Sequence, residues 1–330
     1  MISAFRFLSY LIPIMAFIVI TKGAYVRLSD AGLGCPDWPG CYGRLLVPTT
    51  AADISESQIL DVRPLETGKA WREMIHRYLA SSLGLLILML AAIASTHRHQ
   101  LLQSPLLPLL LVPLVIFQGL LGMWTVTLLL KPLIVVAHLV GGISILALAW
   151  WNLLNVRRAS RGRPDATLLR TVIFALVVLL VQILLGGWTS ANYAALACAD
   201  FPTCHGQWWP NTDFSDAFSL WQRNEINYEF GVLETPARTA IHLTHRYWAV
   251  LVTATFLGLI LYTLRTAMPD GRLIAWCILA LLALQIGLGI TNVVRGLPLL
   301  AAVMHNGVAA LLLIATVTLL RYALPPKRES

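Results

Sequence analysis

The sequence predicts an all-α polytopic membrane protein, with eight transmembrane helices arranged as two tandem, parallel four-helix bundles related by pseudo-two-fold symmetry. Three observations carry this expectation. Apolar residues make up 58% of the 330-residue chain and charged residues 12%, about half the charge fraction of a soluble domain. Apolar runs close to the twenty or so residues that cross a hydrocarbon core recur eight times along the chain. Finally, the chain repeats itself. Cys35-Pro-Asp-Trp-Pro-Gly-Cys41 returns as Cys198-Ala-Asp-Phe-Pro-Thr-Cys204 at an offset of 163, and His76-Arg77-Tyr78 as His245-Arg246-Tyr247 at 169. Gln118–Gly122 returns as Gln285–Gly289, and His138 as His305, both at 167. Landmarks repeated in one order mark an internal duplication.

The elements follow in turn. Span one, Phe5–Ile20, has the length of a signal sequence, but no small-x-small cleavage site follows it and the duplicated pattern needs it as a helix. A long loop, 27–72, carries the first cysteine pair. Span two, Met74–Ser95, has the His-Arg-Tyr motif at its start; span three, Leu106–Leu130, carries Gln118–Gly122; span four, Leu133–Leu154, carries His138. A basic connector at 155–170 leads to span five, Leu168–Trp188, and to the second long loop, 190–239. Spans six (Ala240–Leu264), seven (Leu273–Val294) and eight (Leu297–Leu320) repeat spans two to four. The division falls at 1–155 and 156–330. Because each half has an even number of spans, the halves share one orientation and relate by an axis along the membrane normal.

Charge fixes the expected sidedness. Arg157, Arg158, Arg161, Arg163 and Arg170 crowd the central connector with a single acid, Asp165, and Arg98, Arg265, Arg272, Lys327 and Arg328 fall on the same side. The positive-inside rule puts that side, and both termini, in the cytoplasm. The net charge of +8 therefore calls for no nucleic-acid partner. Both long loops then face outward, where disulfides form. They carry Cys35, Cys41, Cys198 and Cys204, as well as Trp38, Trp71, Trp208, Trp209 and Trp221, residues suited to the outer interface of the lipid; Cys277 alone lies within a span.

His97, His99 and His205 sit in loops or at loop edges and read as solvated. His76, His138, His245 and His305 sit near the outer ends of apolar spans, two per half, at matching positions. An intramembrane imidazole is costly without a partner. No acid or thiol cluster accompanies these residues, as a hydrolytic zinc site requires. Two imidazoles facing each other across a bundle suit a haem iron. Gly84, Gly119, Gly122, Gly141, Gly142, Gly287, Gly289 and Gly307 would let a flat macrocycle approach the backbone, or serve ordinary close helix packing. Arg77 and Arg246 are placed either to meet haem propionates or to snorkel to the interface.

The halves differ at one informative position. Glu73 lies three residues before His76, where the second half has His242 before His245. A three-residue step keeps both side chains on one helix face, so Glu73 is expected beside whatever His76 binds. The alternative is a helix-end carboxylate in water. The asymmetry suggests that the halves bind similar molecules for different purposes.

The stretch Gly23–Cys41, the Glu73-x-x-His76-Arg77 motif and the paired span histidines resemble the haem A synthase family of cytochrome oxidase assembly proteins, over almost the whole chain. The resemblance implies oxidation of the C8 methyl group of haem O to a formyl group through hydroxylated intermediates, giving haem A, in a bacterial cytoplasmic (inner) membrane. It implies a resident haem b, haem ligands at His76, His138, His245 and His305, and Glu73 as the catalytic acid. The first half is expected to take the substrate haem and the second to hold haem b. The cysteine pairs match the subgroup with outer-loop disulfides; of the three connectivities, the short spacing favours Cys35–Cys41 and Cys198–Cys204. Expected partners are haem O and haem A, membrane lipid, haem O synthase and an electron acceptor, and a homo-oligomer fits as well. Two other classes compete: a di-haem b-type cytochrome that only transfers electrons, and a transporter or assembly scaffold. The first does not explain the Glu73/His242 difference; the second leaves the histidine pairs unexplained.

Overall fold

The structure, a computed structural model, describes residues 1–50, 54, 64–101, 103–157, 162, 165–220 and 226–324. Arg158, Arg161, Arg163, Trp221, Lys327 and Arg328 lie outside the described residues. The helices are α1 (Ile2–Leu28), α2 (Thr67–Thr96), α3 (Leu106–Thr127), α4 (Pro132–Val156), α5 (Ala166–Ala191), the single turn α6 (Phe214–Ala217), α7 (Thr235–Thr266), α8 (Pro269–Val294) and α9 (Leu299–Ala323). All except α6 are long and apolar enough to cross a membrane. Among the described residues, strand-like pairing is confined to two isolated bridges, Cys41 with Arg44 and Cys204 with Gln207.

Local chemistry sets the helix ends. Asp165 caps α5, its carboxylate accepting the Thr167 and Leu168 N–H groups at 2.9 and 3.0 Å. Pro132 and Pro269 open α4 and α8, where a missing N–H costs nothing. Two boundaries differ from the expectation set by hydropathy. α3 stops at Thr127 although leucines continue to Leu130, because Leu129 and Leu130 turn left-handed (φ +49° and +61°) ahead of Pro132. The repeat does the same: Gly296 and Leu297 take φ of +66° and +62° ahead of Pro298, leaving Leu297 outside the last helix. α2 and α7, in turn, begin well before their apolar runs, at Thr67 and Thr235. Hydropathy marks where lipid lies, and a backbone stays helical beyond it.

α1 packs on α2 and α4, α2 on α3, and α3 on α4, closing a ring of four. α5 packs on α7 and α9, α7 on α8, and α8 on α9, closing a second ring with the same order of neighbours. Helix association inside lipid rests on close packing rather than on apolar transfer from water. Ile12, Ile87, Leu111 and Leu146 fill the first ring, and Phe256, Leu259, Ile278 and Leu312 the second. The rings meet through α1–α9, α4–α5 and α4–α9. Two polar contacts pin this seam. Arg27 donates to the Ser190 carbonyl at 2.5 Å and lies 4.0 Å over the Tyr193 ring, while Trp150 Nε1 donates to Thr318 Oγ1 at 2.8 Å.

The second long loop reaches across the seam. Tyr228 donates its N–H to the Leu129 carbonyl at 3.0 Å. Its buried side chain packs with Leu33, Val126 and Leu130 of the first half.

Candidate functional site

Each cysteine pair closes locally, Cys35 with Cys41 and Cys198 with Cys204. Inside each ring an aspartate organises the turn. Asp37 accepts the Tyr42 and Gly43 N–H groups at 2.6 and 2.7 Å. Asp200 accepts the His205 and Gly206 N–H groups at 2.7 and 3.0 Å and the Thr203 hydroxyl at 2.6 Å. The Thr203 hydroxyl first, with the Gly206 N–H next, holds the Asp200 carboxyl well below the usual carboxylate range. Tyr42 and His205 are left-handed at +53° and +54°, so the repeated sequence yields a repeated backbone.

The loops are fastened to the N-terminal parts of α2 and α7. Gly34 lies so close to α2 that a Cβ there would stand 2.6 Å from the Lys69 carbonyl carbon. Arg77 donates to the carbonyls of Asp37, Pro39 and Gly40 and forms an ion pair with Glu73. Arg246 donates to the carbonyls of Asp200, Thr203 and Cys198 at 2.9, 2.8 and 2.9 Å. Tyr78 and Tyr247 donate their hydroxyls to the carbonyls of Leu45 and Trp208. Both guanidiniums hold loop backbone and also meet the side chain one turn earlier on their own helix, Glu73 for Arg77 and His242 for Arg246.

Glu73 is 4% exposed, not the solvated helix-end carboxylate of the alternative. It accepts the Cys35 N–H at 2.8 Å and pairs with Arg77. His242, also 4% exposed, takes the same place: its Nδ1 accepts the Cys198 N–H at 3.3 Å and its Nε2 faces Arg246 Nε at 3.1 Å.

His76, His138, His245 and His305 each lie in the first three turns or so of their helices, α2, α4, α7 and α9. All four are half-buried. The helices that carry His76 and His138, α2 and α4, stand at opposite corners of the first ring, and those that carry His245 and His305, α7 and α9, at opposite corners of the second. Each ring rests against a glycine of a neighbouring helix. A Cβ would stand 2.9 Å from His76 Cε1 at Gly23, 3.3 Å from His138 Cε1 at Gly122, 3.2 Å from His245 Cε1 at Gly186 and 3.2 Å from His305 Cε1 at Gly289. Sequence reasoning found Gly122 and Gly289. It missed Gly23 and Gly186 as ring contacts, although their shared offset of 163 was available as a signal. The other glycines do not touch the rings: Gly141 and Gly142 take the Gln118 side chain, Gly307 faces Thr21, Gly84 only Val115, and Gly119 and Gly287 meet nothing within contact distance.

These residues fit a haem. Among the described residues, no three His, Cys, Asp or Glu side chains converge as metal ligands. Two imidazoles in each half would suit a macrocycle that brings its own nitrogens to the iron. The Nδ1 atoms of His76, His138 and His305 are buried without a strict hydrogen-bond partner, an unmet need that a ligand-binding ring nitrogen explains.

The chain matches the family described as Cytochrome oxidase assembly protein over residues 6–317. It is 46% identical to the Heme A synthase of Shewanella oneidensis, covering 93% of this chain and 92% of that protein. It is 27% identical to the Heme A synthase of Halalkalibacterium halodurans over 89% of each chain, and 25% identical to that of Caulobacter vibrioides over 93% of this chain and 92% of the relative.

Proposed function

This chain belongs to the cytochrome oxidase assembly protein family, and from that premise we propose that it is a membrane-embedded haem A synthase. The reaction takes the C8 methyl of haem O and the oxygen of one water, through a hydroxymethyl stage, to the formyl of haem A, releasing four electrons and four protons. The first half receives haem O between His76 and His138; the second holds a resident haem b between His245 and His305. A bound haem in the second half supplies one-electron redox chemistry to the site. The observation that carries the assignment of halves is the replacement of Glu73 by His242 at otherwise equivalent positions.

The protein's own groups do the rest. His76 and His138 orient the substrate ring within the membrane, so that its isoprenoid tail never crosses water. Glu73 has a charge that its counterpart lacks, one turn from His76, where it can take up a proton or stabilise developing positive charge. Arg77 and the Cys35–Cys41 ring hold that carboxylate in place and shield it from bulk solvent. The cysteine loops face the outer side of the bacterial membrane and the termini the cytoplasm. Haem O arrives from haem O synthase within the bilayer, and the electrons pass to a membrane acceptor.

Extraction of the pigment from purified protein tests the activity. Haem O or haem A beside haem B is the expected result; haem B alone would favour the di-haem electron carrier. His305→Leu should abolish the low-spin bis-histidine signal of the resident haem, while His138→Leu should mainly reduce haem A yield. The opposite pattern would reverse the halves.

A further inference from the structure

The residue one turn before each ring-contacting glycine is a glutamine in three cases out of four: Gln118 before Gly122, Gln182 before Gly186 and Gln285 before Gly289. Before Gly23 it is Val19. A four-residue step puts both side chains on the same helix face, so this position also addresses the histidine. What the glutamines touch differs between halves. In the second half both amides reach a ring nitrogen. Gln182 Nε2 lies 3.2 Å from His245 Nδ1, 3.3 Å from its Nε2 and 3.2 Å from its carbonyl; Gln285 Nε2 lies 3.2 Å from His305 Nε2. In the first half, Gln118 turns to the His138 carbonyl at 2.8 Å, and Val19 has no amide to offer His76.

We propose that Gln182 and Gln285 are positioning residues that hold the His245 and His305 rings for a permanently bound haem, and that the first half, without a ring-directed amide, is built to release its haem. The inference rests on the assignment of halves above. A neutral imidazole has one lone pair and one N–H. Iron takes the lone pair, so the other nitrogen must carry the proton and gains from a fixed acceptor, which orients the ring and raises its basicity. The group that faces each ring is the amide nitrogen, a donor, while the amide oxygens of Gln182 and Gln285 are buried without a hydrogen-bond partner; once iron holds one ring nitrogen, a half-turn of the amide about its last bond brings that oxygen to the N–H of the other. A cofactor site benefits from such a hold. A site that must expel its product after every turnover does not.

The test uses purified full-length protein with its resident haem. Gln182→Met and Gln285→Met keep the side-chain length and remove the amide. Each should lose resident haem to excess apomyoglobin about 10- to 100-fold faster, the usual effect of removing an outer partner of a metal-binding histidine. Each should also raise the midpoint potential of the haem and shift its low-spin EPR signal, which a purely packing role would leave alone. Val19→Gln, which installs the second-half residue in the first, should make haem O or haem A co-purify in larger amount and leave more slowly. Unchanged loss rate and potential in both methionine variants would overturn the proposal, and unchanged release from Val19→Gln would overturn its comparison of halves. His305→Leu, run in parallel, separates the two ideas. If it spares the low-spin signal, the assignment of halves fails; if it removes the signal while the methionine variants are silent, only the role of the amides fails.

Discussion

Glu73 and His242 answer the same local demand with different chemistry. Each faces a backbone N–H from the first cysteine of its loop and an arginine one turn along its own helix. A carboxylate accepts from both donors at once, whereas a neutral imidazole has a single acceptor nitrogen. Glu73 therefore carries a structural duty in addition to its proposed catalytic one, and the two can be told apart. Glu73→Gln keeps an acceptor for the Cys35 N–H and loses the charge together with the second acceptor that Arg77 uses, the same single-acceptor condition that His242 already meets in its own half. Its haem A output should fall by about 10²- to 10⁴-fold, the range for a lost acid–base group, with haem O or the hydroxylated intermediate accumulating in membrane extracts and the resident haem intact. His242→Gln should keep most of the activity. Equal losses from both would mean that Glu73 only secures its loop. The four histidines and Glu73 were legible in the sequence because duplication isolates what repeats and what does not. Gln182 was not, since its meaning depends on which helix faces His245.

Glycine steps, turns and loop rings work at the level of elements. Alanine favours a helix over glycine by about 1 kcal/mol, so Gly23→Ala should not weaken α1 as a helix. Its methyl would nevertheless stand 2.9 Å from His76 Cε1 and push the ring off its line. Haem A yield should drop with far-UV circular dichroism and the resident haem spectrum unchanged; normal yield would mean that the ring has room to yield. The second cysteine loop has its own pH signature. The Asp200 pKa is depressed in the fold, so its contribution is fully present above the unfolded value of about 3.9 and fades only as pH falls further, through the lower folded value. The His205 and Gly206 amides should keep their protection from hydrogen exchange from neutral pH down to about 4, and Asp200→Ala should lose it throughout. Each disulfide closes so short a ring that it restrains the unfolded chain by only about 2 kcal/mol. Reduction should therefore loosen the loops and leave the bundle folded, read as protease cuts near Cys35 and Cys198 without loss of helicity. Hydropathy located all eight spans but misjudged their ends at Leu128–Leu130 and Leu297, where left-handed turns rather than polarity stop the helix.

For the molecule as a whole, the sequence disclosed the eight spans and their order along the chain, but not how the helices lean on each other. Arg27 bonds to the carbonyl of Ser190, its own counterpart at the 163-residue offset, and Tyr228 carries the second loop onto Leu33, Val126 and Leu130. Such contacts depend on the distance between surfaces, which a linear pattern does not encode. Tyr228→Ala should accordingly impair the first half from a distance, lowering haem A yield while the low-spin signal of the second half persists. A fall in both would assign Tyr228 to the stability of the entire assembly. The fastening of each cysteine loop to the helix ends nearest the histidines also decides by what route a tailed haem can come and go. On the proposed sidedness, Arg77, Tyr78, Arg246 and Tyr247, all holding loop carbonyls, keep the cysteine loops at the aqueous ends of the histidine-bearing helices, and a tailed haem is expected to enter and leave between helices. The encounter is then two-dimensional, governed by molecules per area of bilayer instead of moles per litre. Diluting proteoliposomes with buffer should leave turnover unchanged, whereas fusing them with empty lipid should slow it in proportion to the area added.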